Sequence, residues 1–140
     1  MNRKKRSFPE GVAVVASGGG MSCAYSAGAM VALVREFGFV EPEFLIGGSG
    51  STGTLAYYAG KQYPRIKHVW TDALITKKFI NRLRLWKIID VDYLIDVIMK
   101  IENPVDMSAV KASPSELLVA ATDADTGELV YFSGKEREDK

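Results

Sequence analysis

Cysteine and histidine each occur once in the 140 residues, as Cys23 and His68. A lone cysteine closes no internal disulfide, and no Cys/His cluster has the spacing of a metal site. The chain is therefore expected in a reducing, cytoplasmic setting, with no metal and no organic cofactor. An excess of one charge is missing too: Lys and Arg total 18 against 17 acidic residues, a net charge of +1. That balance gives no field to attract nucleic acid, which is excluded as a partner class. Long apolar runs are also absent, and nothing approaches the roughly 18 uninterrupted residues of a membrane span. The basic start Met1 to Arg6 is separated by Pro9 and Glu10 from a short run, Val12 to Ala16, too brief for the core of a secretory signal. No internal repeat or low-complexity segment is found. With 47% hydrophobic and 25% charged residues, the composition fits one globular domain with a continuous core, soluble or peripheral at a membrane.

The apolar patterning predicts alternating strands and helices. Gly11 to Ala16 (GVAVVA) is an uninterrupted, β-branched run of the kind buried in a parallel sheet. Ser17-Gly18-Gly19-Gly20 ends it, and small and apolar residues then recur at helical spacing from Cys23 to Phe37, with Gly38 as the stop. A second unit repeats the plan: a strand over Glu43 to Ile46, a Gly/Ser loop over Gly47 to Gly53, and a helix over Thr54 to Ala59 closed by Gly60. This order implies a right-handed crossover and places both glycine loops at the carboxyl ends of neighbouring parallel strands, where open α/β sheets hold their ligands. Beyond Pro64 the pattern predicts helices over Arg65 to Leu74, Lys77 to Trp86 and Asp92 to Lys100, closed by Pro104. Leu117 to Thr122 (LLVAAT) and Leu129 to Phe132 read as strands of a hairpin turning at Asp125-Thr126-Gly127. The expected organisation is a basic tail over 1–10, one domain over 11–133 and a charged tail over 134–140.

Two segments carry the chemistry. A serine nucleophile on a sharp strand-to-helix turn adopts a strained backbone and needs tiny neighbours two positions away, hence the recurrence of G-x-S-x-G. Ser49-Gly50-Ser51-Thr52-Gly53 matches with Ser49 in place of the first glycine, and makes Ser51 the nucleophile directly before the helix, whose dipole favours negative charge there. The other register, Gly47-Gly48-Ser49-Gly50-Ser51, makes Ser49 the nucleophile and loses the last glycine. Ser51 is preferred for its place against the predicted helix. Read blandly, GGSGSTG is a flexible linker, although a buried strand and an apolar helix flank it closely. The second segment, Gly18-Gly19-Gly20 with Met21, lets a loop turn its amides toward a developing oxyanion without interference from side chains. A plain tight turn is the competing reading.

These residues resemble the patatin-like phospholipase family, which has a G-G-G-x-[RK]-G oxyanion loop after the first strand, a G-x-S-x-G elbow after the next, and a later D-G-[GA] element whose aspartate completes a Ser-Asp dyad. Val14 to Leu33 (VVASGGGMSCAYSAGAMVAL) is similar to the family's first strand, loop and helix. Phe44 to Gly60 (FLIGGSGSTGTLAYYAG) resembles its elbow and elbow helix, and Val119 to Phe132 (VAATDADTGELVYF) a strand and hairpin found further on. The resemblance implies a three-layer α/β sandwich with a mainly parallel central sheet, and a cofactor-free acyl hydrolase acting on carboxylic esters of lipids. It carries the oxyanion hole onto Gly18, Gly19, Gly20 and Met21, and the elbow onto Ser49, Gly50, Ser51, Thr52 and Gly53. Ser22 and Cys23 stand where the family has a basic residue and glycine, Ser49 stands for the elbow's first glycine, and no Asp in the chain is followed by Gly. The missing aspartate implies an N-terminal piece of a longer enzyme, a base role for Asp123 or Asp125, or a non-catalytic pseudoenzyme or lipid- or anion-binding α/β module. Asp123 and Asp125 are read as turn residues of the hairpin.

His68 follows the elbow too closely for the nucleophile-acid-histidine order of α/β hydrolases and reads as a partly exposed helical residue. The dinucleotide fingerprint lacks its third glycine at Cys23, and a P-loop reading of Gly48 to Thr54 lacks its lysine. Finally, 74–89 holds Lys77, Lys78, Arg82, Arg84 and Lys87 without an acid, interleaved with Phe79, Ile80, Leu83, Leu85 and Trp86. A basic, apolar-faced segment of this kind is expected either to pack on the core with a solvated face or to rest on an anionic membrane.

Overall fold

A computed structural model describes residues 11–135; the tail expected over 1–10 and residues 136–140 of the charged tail lie outside the described residues. Four strands form one sheet: β1 (Ala13–Ala16), β2 (Phe44–Gly48), β3 (Glu116–Thr122) and β4 (Leu129–Ser133). They lie in the order β1-β2-β3-β4, the first two pairings parallel and the last antiparallel. This is an α/β fold with a mostly parallel sheet.

Register explains which face is buried. Val14 lies beside Leu45 and Leu45 beside Leu117, while Ala16, Gly47 and Val119 form the next row. Since side chains alternate across a strand, these positions share one face, and it contains every buried sheet residue: Ala16, Leu45, Gly47 and Leu117. The opposite face, with Val15, Ile46 and Leu118, has no buried residue, and Val15 is 72% exposed. Among the described residues the molecule therefore has two layers, where three were expected.

The helical layer starts with α1 (Cys23–Ala32), prolonged by a π-helical turn over Leu33–Phe37 and stopped by Gly38, whose φ of 67° provides the left-handed cap. α2 (Gly50–Ala59) follows β2, and α3 (Tyr63–His68) runs on π-helically through Val69–Ala73. A further π-helical segment, Tyr93–Glu102, precedes the short α4 (Met107–Lys111), whose first turn is capped by the Asp106 carboxylate accepting from the Ala109 amide. Leu45, Leu55, Tyr57, Tyr58, Ile66, Leu74 and Ile98 form the core. Each such side chain contributes about 1.5–3 kcal/mol by leaving water. Two buried phenols are satisfied, Tyr57 donating to Asn103 O and Tyr58 to Phe39 O, whereas the Tyr63 hydroxyl is buried without a hydrogen-bond partner among the described residues.

Two expectations change. α2 begins at Gly50, four residues before the predicted Thr54, so the predicted Gly/Ser loop over Gly47 to Gly53 shrinks to the single residue between β2 and α2, Ser49. Lys77 to Trp86 is not a helix but an irregular excursion of turns, closed at its base by a bridge between Ile80 and Ile89. Asn81 redirects the chain: its amide donates to Ile88 O and its side-chain oxygen accepts from the Leu83 amide. Such local side-chain bonding competes with helical pairing.

Candidate functional site

Ser49 occupies the turn from β2 into α2 with φ 51° and ψ −131°, one of two described non-glycine residues with positive φ. A conformation of this kind costs a residue with a Cβ about 1–3 kcal/mol and persists only where its surroundings enforce it. The enforcement comes from tight packing on either side. A methyl group on Gly47 would lie 3.0 Å from Thr52 Cα and 3.0 Å from Leu55 Cδ1, so only glycine lets α2 fold back over the end of β2. A methyl group on Gly50 would lie 3.3 Å from Cys23 Sγ. The Ser49 side chain stays exposed at the N-terminus of the ten-residue α2.

Ser51, expected to be the nucleophile, is buried at 0% exposure, and its hydroxyl donates to Ser17 O at 2.7 Å. It occupies the last-glycine position of the Gly47-x-Ser49-x-Ser51 register, where it ties α2 to the end of β1. Its oxygen is therefore already bonded within the protein and shielded. Thr52 and Gly53, expected as loop residues of the elbow, lie in the first turns of α2; a methyl group on Gly53 would meet Met99 Cε at 3.0 Å.

The glycine loop reaches Ser49 from the neighbouring strand. A methyl group on Gly18 would lie 2.9 Å from Ser49 Cβ and 3.4 Å from Gly48 O, a spacing that brings the loop into direct contact with the turn. Gly19 has φ 146°, and its carbonyl accepts both the Ser22 amide at 3.2 Å and the Ser22 hydroxyl at 2.9 Å. Ser22, in the place of the resemblance's basic residue, thus braces the loop without supplying charge. Cys23 is buried and begins α1, with its thiol facing Ser17 O at 3.8 Å. Gly18, Gly19, Gly20 and Ser49 all have exposed backbone or side chain at this junction.

From the junction extends a cavity of about 710 Å³. Gly20, Met21, Ser49, Gly50 and Thr52 line it on the side of the junction, while Trp70, Leu74, Phe79, Leu94, Met99 and Val105 are among the apolar residues of its walls. Trp70 is held by its ring nitrogen donating to Thr54 Oγ1 at 2.9 Å. Thr52 Oγ1 is buried without a hydrogen-bond partner among the described residues. The wall residues beyond α2 carry no motif that marks them in the sequence as site residues. Their signal is the apolar spacing of Leu94, Ile95 and Met99, which together with the core residue Ile98 marks a core face as well as a cavity wall.

Acid-base partners are sparse. Among the described residues lining the cavity Lys100 is the one charged side chain, and its Nζ pairs with Asp96 Oδ1 at 2.6 Å. His68 is exposed on α3, its Nδ1 3.1 Å from Asp72 Oδ2, and does not line the cavity. Asp123 is engaged in the hairpin: its carboxylate accepts from the amides of Asp125 and Thr126 and from the Thr126 hydroxyl. Those bonds, the Thr126 amide first, hold its pKa below the ordinary carboxylate value. Comparison with protein-family models, curated proteins and solved structures found no match.

Proposed function

We propose that the chain is the nucleophile-bearing part of a patatin-like serine acyl hydrolase acting on carboxylic esters of lipids, and that Ser49 rather than Ser51 is the nucleophile. One observation carries the reading: a strained, exposed serine at a one-residue strand-to-helix turn touches the Gly18 loop and opens into an apolar cavity. Strain of this kind is kept where function needs the side chain presented.

In this mechanism Ser49 Oγ attacks the ester carbonyl, and its proton passes to a general base. The amides of Gly19, Gly20, Met21 and Gly50 receive the negative charge on the carbonyl oxygen, aided by the positive end of α2. The alcohol leaves with a proton, water cleaves the acyl-enzyme, and a carboxylic acid and free Ser49 result. The base is not among the described residues lining the cavity; the resemblance assigns it to the aspartate of a D-G-[GA] element, which these 140 residues lack. The cavity walls take the acyl chain.

The same lack of a base favours a second reading, a lipid-binding pseudoenzyme that keeps the cavity without the reaction. Hydrolysis of a short p-nitrophenyl ester separates the two. For the enzyme, turnover by the wild-type chain exceeds the uncatalysed rate, falls to background in Ser49→Ala and persists in Ser51→Ala. Turnover that survives Ser49→Ala unchanged would remove Ser49 from the mechanism, and fatty-acid binding without any turnover would establish the pseudoenzyme.

A further inference from the structure

The segment between Leu74 and Asp90 is bound together at its base and apolar at its tip. At the base, Ile80 and Ile89 form an antiparallel bridge, the Asp90 amide donates to Phe79 O at 2.8 Å, and Arg84 donates to both Lys78 O and the Asp90 carboxylate at 3.3 Å. At the tip, Leu83 is 90% exposed, Leu85 91% and Trp86 97%. Three large apolar side chains almost fully exposed to water within four residues of a braced turn mark an interaction surface rather than a core.

Charge identifies the partner. From Lys77 to Ile89 the chain has five cations and no acid. Asp90 and Asp92 engage Arg84 and Lys87, whereas Lys77, Lys78 and Arg82 are in no ion pair among the described residues, although Lys78 Nζ lies 6.0 Å from the Tyr93 ring centroid. The surface thus joins an indole and two leucines to unneutralised cations, the combination that seats a peripheral protein at an anionic lipid surface: apolar side chains enter the headgroup boundary and cations remain at the phosphates. Position adds a third argument. Phe79 on one side of the tip, and Ile89 and Val91 on the other, line the cavity that contains Ser49, so the excursion leaves the cavity wall and returns to it.

We infer that the Leu83-Leu85-Trp86 tip is a membrane anchor that docks the cavity onto an anionic lipid bilayer. This deepens the proposed hydrolase by naming the physical form of its substrate, and as a role in delivering lipid it rests on that reading; the docking itself does not require catalysis.

The test is sedimentation of the wild-type chain with vesicles of phosphatidylcholine alone, or containing about one-third phosphatidylglycerol. The chain is expected to sediment with the anionic vesicles and to remain in solution with the neutral ones. Replacing Leu83, Leu85 and Trp86 together by serine is expected to weaken binding by about tenfold or more. These side chains are outside the core, so the variant keeps its circular dichroism spectrum. Its hydrolysis of a water-soluble ester is also expected to be unchanged, which separates loss of docking from loss of the catalytic site. K77Q/K78Q/R82Q is expected to weaken binding to anionic vesicles and to abolish its sensitivity to salt. Wild-type chain that stays in solution with anionic vesicles, or a triple-serine variant that binds as well as wild type, overturns the inference. Concentration-dependent self-association that disappears in the triple-serine variant, with no vesicle binding, would assign the tip to contact between copies instead.

Discussion

At the scale of single residues, the elbow is a contest between backbone strain and packing, and Ser49 is where the strain collects. Ser49→Gly removes the Cβ that makes φ 51° costly, relieving about 1–3 kcal/mol against about 0.5–1 kcal/mol for the extra freedom of unfolded glycine. This variant is expected to melt at a higher temperature than wild type and to lose all reactivity; differential scanning calorimetry beside the ester assay checks both. Ser51 follows the opposite logic. Its hydroxyl is a buried strut to Ser17 O, so Ser51→Ala is expected to lower stability by about 1 kcal/mol while leaving Ser49 reactive, as a denaturation midpoint and the same assay would record. The choice between the two serines was not legible in the sequence because Gly50, Ser51, Thr52 and Gly53 have poor helix propensity, which displaced the expected helix start to Thr54. Packing contacts, Ser51 with Ser17 and Gly47 against Leu55, go with a helix that starts at Gly50, and it is this start that favours Ser49 in the proposed mechanism.

At the scale of elements, strand ends and helix starts fit together through missing side chains. The most constrained case is β2 against α2: Gly47→Ala would push a methyl group against the Thr52 backbone, which cannot rotate away. Overpacking of this kind costs about 1–3 kcal/mol, and a chemical denaturation curve is expected to show that loss together with a weaker ester assay, since the elbow itself must open. The order of strands, loops and helices in this half of the chain was readable because β-branched runs and glycine loops are local signals. The excursion over 77–86 was not, because the spacing of Phe79, Ile80 and Leu83 imitates a helix while Asn81 spends its hydrogen bonds on a turn. The hairpin of β3 and β4 was readable from the Asp-x-Asp-Thr-Gly run, whose first carboxylate accepts three hydrogen bonds across the turn. Because those bonds lower the pKa of Asp123, their stabilisation is present above the ordinary carboxylate range and is lost as pH falls through the depressed value. Asp123→Asn is expected to weaken that acid sensitivity, measurable from thermal midpoints followed down from neutral pH.

For the whole molecule, one buried helix joins the site to the core. α2 begins beside Ser49 and ends in Tyr57, Tyr58 and Ala59, all buried, so the elbow is anchored by the most enclosed part of the protein. Tyr57 reports on that anchor: burial pushes its phenol from 10.0 up to about 12. A raised phenol pKa stabilises the folded chain below the unfolded value, and the contribution is lost as pH rises past about 10 and toward the folded value. Alkaline unfolding is expected to begin in that window and to start at higher pH in Tyr57→Phe, provided the loss of its bond to Asn103 O is tolerated. Among the described residues no helix is long and apolar enough to cross a membrane, and the sheet is covered by helices on one face. The cavity was the least legible feature of all, because it is assembled from residues between Gly20 and Met107 whose apolar spacing individually signals only burial.

The central claim concerns one oxygen atom and is tested at one peptide. After reaction with a fluorophosphonate and digestion with trypsin, the fragment from Glu36 to Lys61 holds both Ser49 and Ser51, and tandem mass spectrometry locates the adduct within it. The account predicts the added mass on Ser49. An adduct on Ser51, or none on this peptide, would contradict it.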